Sequence, residues 1–334
     1  MDLTQVVKAI PTPGSVHVNR PLTQISIAFH QSQANFIAMR VFANIPVAKS
    51  SDLYYEYDRG YFNRDEAEKR APGTEAAGGG FKVTTSSYNA ETYAYRHDIP
   101  DQRRENTDNP LAPDTEAVNL VSMKMLLLRE KSWKSAYFGT GKWTTDITGV
   151  PGVPGATQVK QWNDAASTPI QDIRAGIDMV LESTGFEPNT LVLGHQVATQ
   201  LFDHPDIVDR VKYGQTSPGP AMIDVPELMA LFKVPRIFIM KAIENTAAEG
   251  AVNSHSFIGG KSALLCYSTS TPGLQTPSAG YTFTWSAMQG GIQGNRIKKY
   301  RLERIESDRI EIQSAFDMKK IAADLGYFFD TIVV

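Results

Sequence analysis

One stretch of the sequence gathers the residue types that metal sites and acid–base catalysis use. Residues 191–214 read LVLGHQVATQLFDHPDIVDRVKYG and overlap the strand-like run TLVLG. Imidazole and carboxylate groups are the ligands of catalytic zinc, so one hypothesis is a cytoplasmic metallohydrolase built on the α/β region 190–265. Its ligands and acid–base groups would be His195, Asp203, His204 and Asp209.

The spacing of these residues favours a structural interpretation instead. The zinc-protease pattern H-E-x-x-H is absent. On one helix His195 and His204 would lie about 2.5 turns apart and therefore on opposite faces. Because Pro205 disfavours helix at the residue before it, a break there is expected. Asp203 and His204 would then cap helix ends, and Pro205 would open the next helix.

Other catalytic patterns are also absent. The segment GTGKWT at 139–144 has Trp143 where a phosphate-binding loop requires Ser or Thr, and it follows a predicted helix instead of preceding one. No G-x-S-x-G nucleophile turn is present. The sequence therefore predicts no catalytic residue, no metal and no cofactor, and it favours a structural protein over an enzyme.

Composition places the chain among globular proteins. It has 334 residues, 42% of them hydrophobic and 21% charged, with a formal net charge of −3. That charge argues against a strongly cationic nucleic-acid binder. The single cysteine, Cys266, excludes an intrachain disulfide and is expected to be buried in its apolar run. The apolar runs fall short of the ~20 residues that cross a bilayer, so no membrane partner is predicted.

The first hundred residues do not resemble an enzyme domain. Residues 1–50 are apolar but repeatedly interrupted by proline, which predicts an arm that lies on its own fold or on a neighbour. Residues 54–99 read as a long β-hairpin whose strands flank a charged, glycine-rich connector. A loop of that length is uncommon inside a compact domain and usually functional.

The remainder alternates between helical and strand patterns. Residues 113–138 form the clearest helix, with Pro113 at its start and acidic residues in its first turn. A Gly/Pro/Thr-rich connection follows, and from about residue 170 an α/β pattern begins. The end returns to antiparallel sheet, where KKYRLERI turns into RIEIQSAFD.

This order of segments resembles the major capsid protein of tailed bacteriophages, whose fold encapsulins share. PGTEAAGGGFKVTTSSYNAETYAYRHDIP is similar to the extended loop and the strand that follows it, and PDTEAVNLVSMKMLLLREKSWKSAYF to the long spine helix. NTLVLGHQVATQLFDHPDIVDRVKYG and ELMALFKVPRIFIMKAI resemble the axial domain. FIGGKSALLCYSTSTPGLQTPSAGYTFTW resembles its closing strands, and YRLERIESDRIEIQSAFDMKKIAADLGYFFDTI the C-terminal return.

The resemblance implies an α+β fold with an N-terminal arm, an extended β-hairpin loop, a peripheral domain with a spine helix, and an axial α/β domain. We expect these parts at 1–50 for the arm, 51–100 for the extended loop with its tip at about 60–80, 101–169 for the peripheral domain with spine helix 113–138, 170–290 for the axial domain, and 291–334 for the return to the peripheral domain.

The resemblance also implies a function and partners. The chain would self-assemble into pentamers and hexamers of an icosahedral shell that encloses double-stranded DNA, within a virion capsid assembled in the host cytoplasm. Portal and scaffolding proteins, and a decoration protein, are the other expected partners. The alternatives are an encapsulin-like nanocompartment shell and the metallohydrolase. No covalent crosslink is predicted from Lys69 or Lys82.

Two sets of residues are candidates for contacts. The inter-subunit loop set is Arg59, Arg64, Glu66, Glu68, Lys69, Arg70, Glu75 and Lys82. The basic cluster RIKKYR at 296–301 is either a solvent-facing strand or a sequence-independent contact with a polyanion. The inner-face set for DNA is Lys8, Arg20, Arg40, Lys298, Lys299 and Arg301.

Overall fold

The computed structural model describes residues 31–107, 111–214, 223–273, 275–288 and 295–334. Its helices are α1 Ala38–Val41, α2 Arg59–Phe62, α3 Asp101–Glu105, α4 Pro113–Tyr137, α5 Pro169–Thr184, α6 His195–Phe202, α7 Pro205–Gly214 and α8 Val225–Phe232. Within the described residues, no helix is both long enough and apolar enough to cross a membrane.

Fifteen strands lie among the described residues. They are β1 Asn44–Val47, β2 Ser51–Tyr57, β3 Val83–Asn89, β4 Glu91–Pro100, β5 Thr145–Val150, β6 Gln158–Lys160, β7 Thr190–Gly194, β8 Arg236–Met240, β9 Ile243–Asn245, β10 His255–Phe257, β11 Ala263–Cys266, β12 Gly280–Trp285, β13 Arg296–Leu302, β14 Ser307–Lys320 and β15 Gly326–Asp330.

The first large sheet is organised around the long strand β14. The same stretch of β14 pairs antiparallel with β4 on one edge and with β13 on the other. Further along, β14 pairs with β12, which in turn pairs in parallel with β1. We call this five-stranded layer the peripheral sheet. It therefore draws strands from both ends of the chain and fixes them to one another.

The second large sheet has the strand order β6-β5-β15-β11-β7-β8, and we call it the axial sheet. Helix α5 packs on it through Ile170, Ile173 and Ile177, which share a core with Leu191 and Leu265. These isoleucines recur at the three- and four-residue spacing of one helix face. At the junction of β7 and α6 a side chain cannot fit, because a Cβ on Gly194 would lie 2.3 Å from the carbonyl oxygen of Gly260.

Helix α4 joins the two sheets. Its first half packs Val121 and Met125 against Ile310 and Ile312 of the peripheral sheet. Its second half contributes Trp133 and Tyr137, both fully buried, to a core shared with Phe328 of the axial sheet and with the arm. The Tyr137 hydroxyl also donates to the carbonyl oxygen of Tyr281 at 2.9 Å. The predicted helix 113–138 is confirmed to within one residue at its C-terminal end.

Four strands, β4, β5, β12 and β15, lie in a different place from the one that the predicted domain boundaries imply. β4 pairs with β14 and not with β2, so the loop hairpin ends at β3 and the run predicted as one strand divides at Ala90. β12 joins the peripheral sheet, although it falls within 170–290. β5 and the C-terminal β15 lie side by side in the axial sheet. Sequence order alone does not reveal these long-range pairings.

Candidate assembly surfaces and the histidine segment

The histidine segment is held by local hydrogen bonds. His204 is buried, and its Nδ1 accepts the backbone N–H of Asp206 at 3.2 Å. Its Nε2 lies 3.0 Å from the Ser167 hydroxyl and 3.2 Å from the carbonyl oxygen of Asp164. His204 thus caps the start of α7 and ties it to the loop before α5. The predicted caps are confirmed, since Asp203 ends α6 and Pro205 begins α7.

The other members of the segment lie elsewhere. His195 begins α6, and its ring contacts that of Phe257 in a tilted arrangement, with ring centroids 4.6 Å apart. Asp206 binds Arg210 one turn later, at 3.3 Å. In the part of the chain that the structure describes, no three His, Cys, Asp or Glu side chains are placed to share a metal ion. The geometry therefore assigns His204 a structural role.

Substitution of His204 tests this role. We expect His204→Ala to lower the free energy of unfolding by about 1–2 kcal/mol, because it removes a helix cap and the hydrogen bond to the Ser167 hydroxyl. His204→Asn should recover part of the loss, since asparagine also caps helices. Urea unfolding of the three proteins measures the difference. Equal stability of the alanine variant and the parent chain would contradict the assignment.

The extended loop stands on an aromatic base. β2 and β3 form a separate two-stranded sheet, with Tyr57 opposite Val83. On the inner face Tyr54 and Tyr88 stack on Phe283 of the peripheral sheet, with ring centroids 5.5 Å and 4.7 Å apart. An isolated two-stranded hairpin is at best marginally stable in water, so this stack is what fixes the loop to its own subunit.

The outer face of the loop is apolar and open. Leu53 is 61% exposed and Tyr55 is 69% exposed. Towards the tip, Phe62 and Phe81 contact each other and Tyr57, with centroids 5.7–6.3 Å apart, and both phenylalanines remain more than half exposed. Exposed apolar surface that is contiguous marks a site of protein association. We call this surface, Leu53, Tyr55, Tyr57, Phe62 and Phe81, the loop outer face.

The predicted loop contacts are all exposed. Arg59 forms an ion pair with Asp324 of its own subunit at 3.0 Å, and Arg64 pairs with Glu66 at 3.3 Å. Arg70 donates to the carbonyl oxygen of Thr74 at 2.5 Å. Four others have no ion-pair partner among the described residues: Glu68, Lys69, Glu75 and Lys82. Their role in contacts between subunits remains a prediction.

The described part of the arm is fixed to its own subunit. The Gln31 side chain both donates to and accepts from the backbone of Ile243, at 2.7 Å and 3.0 Å. Phe36, Ile37 and Phe42 are buried against α4. β1 then joins the peripheral sheet beside β12. The arm therefore reaches the core before the extended loop begins.

Two buried charged residues of α4 hold this part of the arm. Glu130 accepts hydrogen bonds from the backbone N–H groups of Ile37 and Ala38 at 3.0 Å and 2.9 Å. Burial raises the pKa of Glu130 to about 7, although these two hydrogen bonds lower it. Arg129 binds the Ser314 hydroxyl at 2.5 Å, and burial lowers its pKa to about 10. Arg129 also lies 3.0 Å from the Met39 sulfur, so both side chains contact the arm and Arg129 in addition joins α4 to β14.

The predicted DNA contacts are placed unevenly. Lys299 lies 2.9 Å from Asp114, and Arg301 pairs with Asp101 through both of its terminal nitrogens. These two charges are balanced within the subunit. Arg40 is exposed and lies over the ring of Phe238, and Lys298 is opposite Glu311 on the neighbouring strand. Lys8 and Arg20 lie outside the described residues.

Sequence reasoning missed one basic surface. Lys131, Lys134 and Lys142 line a hollow at the C-terminal end of α4, together with a single acid, Glu244. The first two lysines read as ordinary partners of the helix dipole. Lys142 lies in the glycine-rich segment 139–144, and no pattern in the sequence links it to the helix.

Comparison with known proteins gives this arrangement a family context. No protein-family model matches the chain. The major capsid protein of Pseudomonas phage JBD67 is 25% identical over 318 residues, which cover 95% of this chain and 97% of that protein. The major capsid protein of Burkholderia phage BcepMu is 24% identical over 249 residues, covering 71% and 73%.

Solved structures agree with the sequence relatives. A phage-related protein from Bordetella bronchiseptica RB50 superposes with a TM-score of 0.67 at 20% identity, over 90% of this chain and 94% of that one. The mature capsid of bacteriophage PhiM1 superposes with a TM-score of 0.56 at 12% identity, over 96% and 98%. The chain has the tailed-phage capsid fold. The predicted fold class and the resemblance to phage major capsid proteins are thus confirmed.

The same capsid fold occurs in encapsulins. The SrpI encapsulin of Synechococcus elongatus PCC 7942 superposes with a TM-score of 0.55 at 11% identity, over 93% of both chains. The fold therefore does not separate a phage capsid from an encapsulin. The sequence relatives are both capsid proteins, which confirms the prediction of a structural protein and not an enzyme.

Proposed function

We propose that the chain is the major capsid subunit of a phage and self-assembles into pentamers and hexamers of an icosahedral shell around double-stranded DNA. The observation that carries the proposal is the alignment with a phage major capsid protein over nearly the full length of both chains. A shared piece of fold would not require this end-to-end match, which includes the arm, the loop and the C-terminal return.

The physical basis of assembly is a rigid body from which the extended loop projects. α4 and the peripheral sheet form the rigid body, since their shared core is fully buried. The loop outer face exposes apolar surface that a neighbouring subunit would bury. Repeated over a closed shell, many modest contacts of this kind add up through multivalency.

The proposal includes the other partners that the capsid fold suggests. The charged residues of the loop tip, from Arg59 to Lys82, would contact neighbouring subunits. Portal and scaffolding proteins would act during assembly in the host cytoplasm, and a decoration protein could bind the outside of the shell. The chain would then reside in the virion capsid.

An encapsulin-like compartment is the second candidate, and the match to the SrpI encapsulin is the observation that favours it. The contents of the shell separate the two functions. Particles recovered from induced cells that carry the gene in its natural genome should hold long double-stranded DNA that is protected from added nuclease. Particles that instead hold one enzyme and no protected DNA would overturn the phage assignment.

A further inference from the structure

An open hollow of about 410 Å³ lies at the C-terminal end of α4. It is lined by Lys131, Lys134, Ser135, Phe138, Gly139, Lys142 and Glu244. Lys131 and Glu244 form an ion pair at 2.6 Å and neutralise each other. Lys134 and Lys142 have no ion-pair partner among the described residues, so the hollow keeps two uncompensated positive charges.

A third ammonium group lies close by. The Lys320 Nζ donates to the carbonyl oxygen of Lys142, and Lys320 also has no acidic partner among the described residues. Arg59 neutralises Asp324 at 3.0 Å. Asp146 accepts the backbone N–H of Gly141 at 2.5 Å and forms no ion pair with any of these three lysines among the described residues. The lysines therefore repel one another in the isolated subunit.

The helix dipole accounts for only part of this arrangement. Lys134 lies in the last turn of α4, where a positive charge is favourable. Lys142 and Lys320 lie beyond the helix, where the dipole no longer acts on them. A bound anion would offset the repulsion among all three. Because the hollow is open, it suits a long ligand that lies across it better than a small ligand that it would have to enclose.

Segments of a second copy are poor complements for this hollow. The charged residues of the first 30 residues of the arm are Lys8 and Arg20 against Asp2, which leaves the arm with the same sign as the hollow. The loop tip, residues 58–82, carries equal numbers of acidic and basic residues. Neither segment offers the excess of negative charge that three unpaired lysines would attract.

The hollow is next to Gln31, the first described residue of the arm. Gln31 is bonded to Ile243, and the next residue along β9 is Glu244 at the rim of the hollow. An open hollow lined by lysines fits a long polyanion, because phosphate contacts depend on charge and not on base sequence.

We propose that Lys134, Lys142 and Lys320 bind backbone phosphates of the enclosed DNA at this hollow. The inference rests on the proposed function, which supplies the enclosed DNA. These three lysines replace Lys299 and Arg301 as the expected DNA contacts, because the charges of Lys299 and Arg301 are already paired. Binding is sequence-independent and weakens steeply with salt.

The test measures the affinity of the purified protein for a fluorescent 20-base-pair duplex of mixed sequence at several salt concentrations. Each phosphate contact contributes about 0.9 to the slope of log affinity against log salt. We expect the double variant Lys134→Gln/Lys142→Gln to bind more weakly and to reduce the magnitude of that slope by about 2.

The matched control is Lys124→Gln/Lys261→Gln, which removes the same charge from two exposed lysines that do not line the hollow. The slope measured for this control should differ from that of the parent chain by less than half as much as the slope of the Lys134→Gln/Lys142→Gln variant does. Thermal unfolding of both variants establishes that they fold. Equal slopes in the two variants, or no binding by the parent chain at low salt, would overturn the inference. If the chain forms shells but the hollow variant binds the duplex like the control variant, the inference alone is refuted. If the chain forms no shells, the result counts against the proposed function.

Discussion

A chain that lacks the extended-loop tip is expected to fold normally and to form no closed shells. The design replaces residues 58–82 with Asn-Gly, a pair that closes a two-residue hairpin turn, between Tyr57 and Val83, which already face each other. The aromatic base of the loop stays in place, because Tyr54 and Tyr88 still stack on Phe283.

The subunit loses little when the tip is removed. The ion pair from the tip to the rest of the subunit, Arg59 with Asp324, is half exposed and contributes about 0–1 kcal/mol. The loop outer face, in contrast, loses Phe62 and Phe81, which are buried only if another subunit covers them. We therefore expect a melting temperature within a few degrees of the parent chain, and electron microscopy should show no closed particles.

Two tyrosines on opposite faces of β2 give a sharper contrast. Tyr55→Ser removes an exposed ring, so it should leave unfolding unchanged and reduce the yield of shells. Tyr54→Ala removes a ring that stacks on Phe283, so it should lower the free energy of unfolding by about 1–3 kcal/mol. Shells of normal shape and yield from the tip deletion would contradict an assembly role for the loop.

The second large effect is expected at Glu130. Glu130→Ala leaves the buried N–H groups of Ile37 and Ala38 without their acceptor. An unsatisfied buried donor costs about 1–3 kcal/mol, so the variant should lose about 2–5 kcal/mol of stability and release the arm from α4. Glu130→Gln is the matched control, because its amide oxygen can accept the same bonds; it should lose about 1 kcal/mol or less.

The same residue predicts a pH dependence. The pKa of Glu130 is raised by burial to about 7, above its value of 4.5 in an unfolded chain. The folded state therefore binds the extra proton between these two values, and the stability that this proton contributes is complete below pH 4.5 and is lost as pH rises through 7. One pKa unit corresponds to about 1.4 kcal/mol, so the total is about 3 kcal/mol.

Urea unfolding at a series of pH values measures this effect. From pH 4.5 to about pH 7.5, the free energy of unfolding of the parent chain should fall relative to that of Glu130→Gln. Above pH 7.5 the difference between the two proteins should stay constant. Glutamine cannot titrate, so the comparison cancels the contributions of all other groups. A difference that is flat across this range would show that Glu130 is ionised throughout.

Local patterns in the sequence predicted much of the fold. Helix α4 carries an apolar stripe with acidic residues at one end and lysines at the other, and these signals need no tertiary context. The caps around Pro205 could be predicted for the same reason, as could the burial of Cys266, whose pKa burial raises to about 12. The resemblance to capsid proteins rested on the order of such segments.

Features that depend on distant contacts could not be predicted. Glu130 looks like a solvent-facing residue in sequence, and only the arm, about 90 residues earlier, makes it a buried acceptor. The pairing of β5 with β15 joins segments that are far apart in the chain. The sequence predicts that Lys299 and Arg301 contact DNA, but the structure pairs them with Asp114 and Asp101. These acids are distant in the sequence, so the sequence does not show that the two positive charges are neutralised.

Cryo-electron microscopy of the assembled chain tests the central claim most directly. The protein is expressed alone and together with the genes that flank it, so that a missing scaffold cannot prevent assembly. We expect closed polyhedral shells built from pentamers and hexamers, with the loop outer face of each subunit buried on its neighbour. Monomers or small open oligomers under both conditions, or shells in which the loop outer face touches no other subunit, would contradict the account.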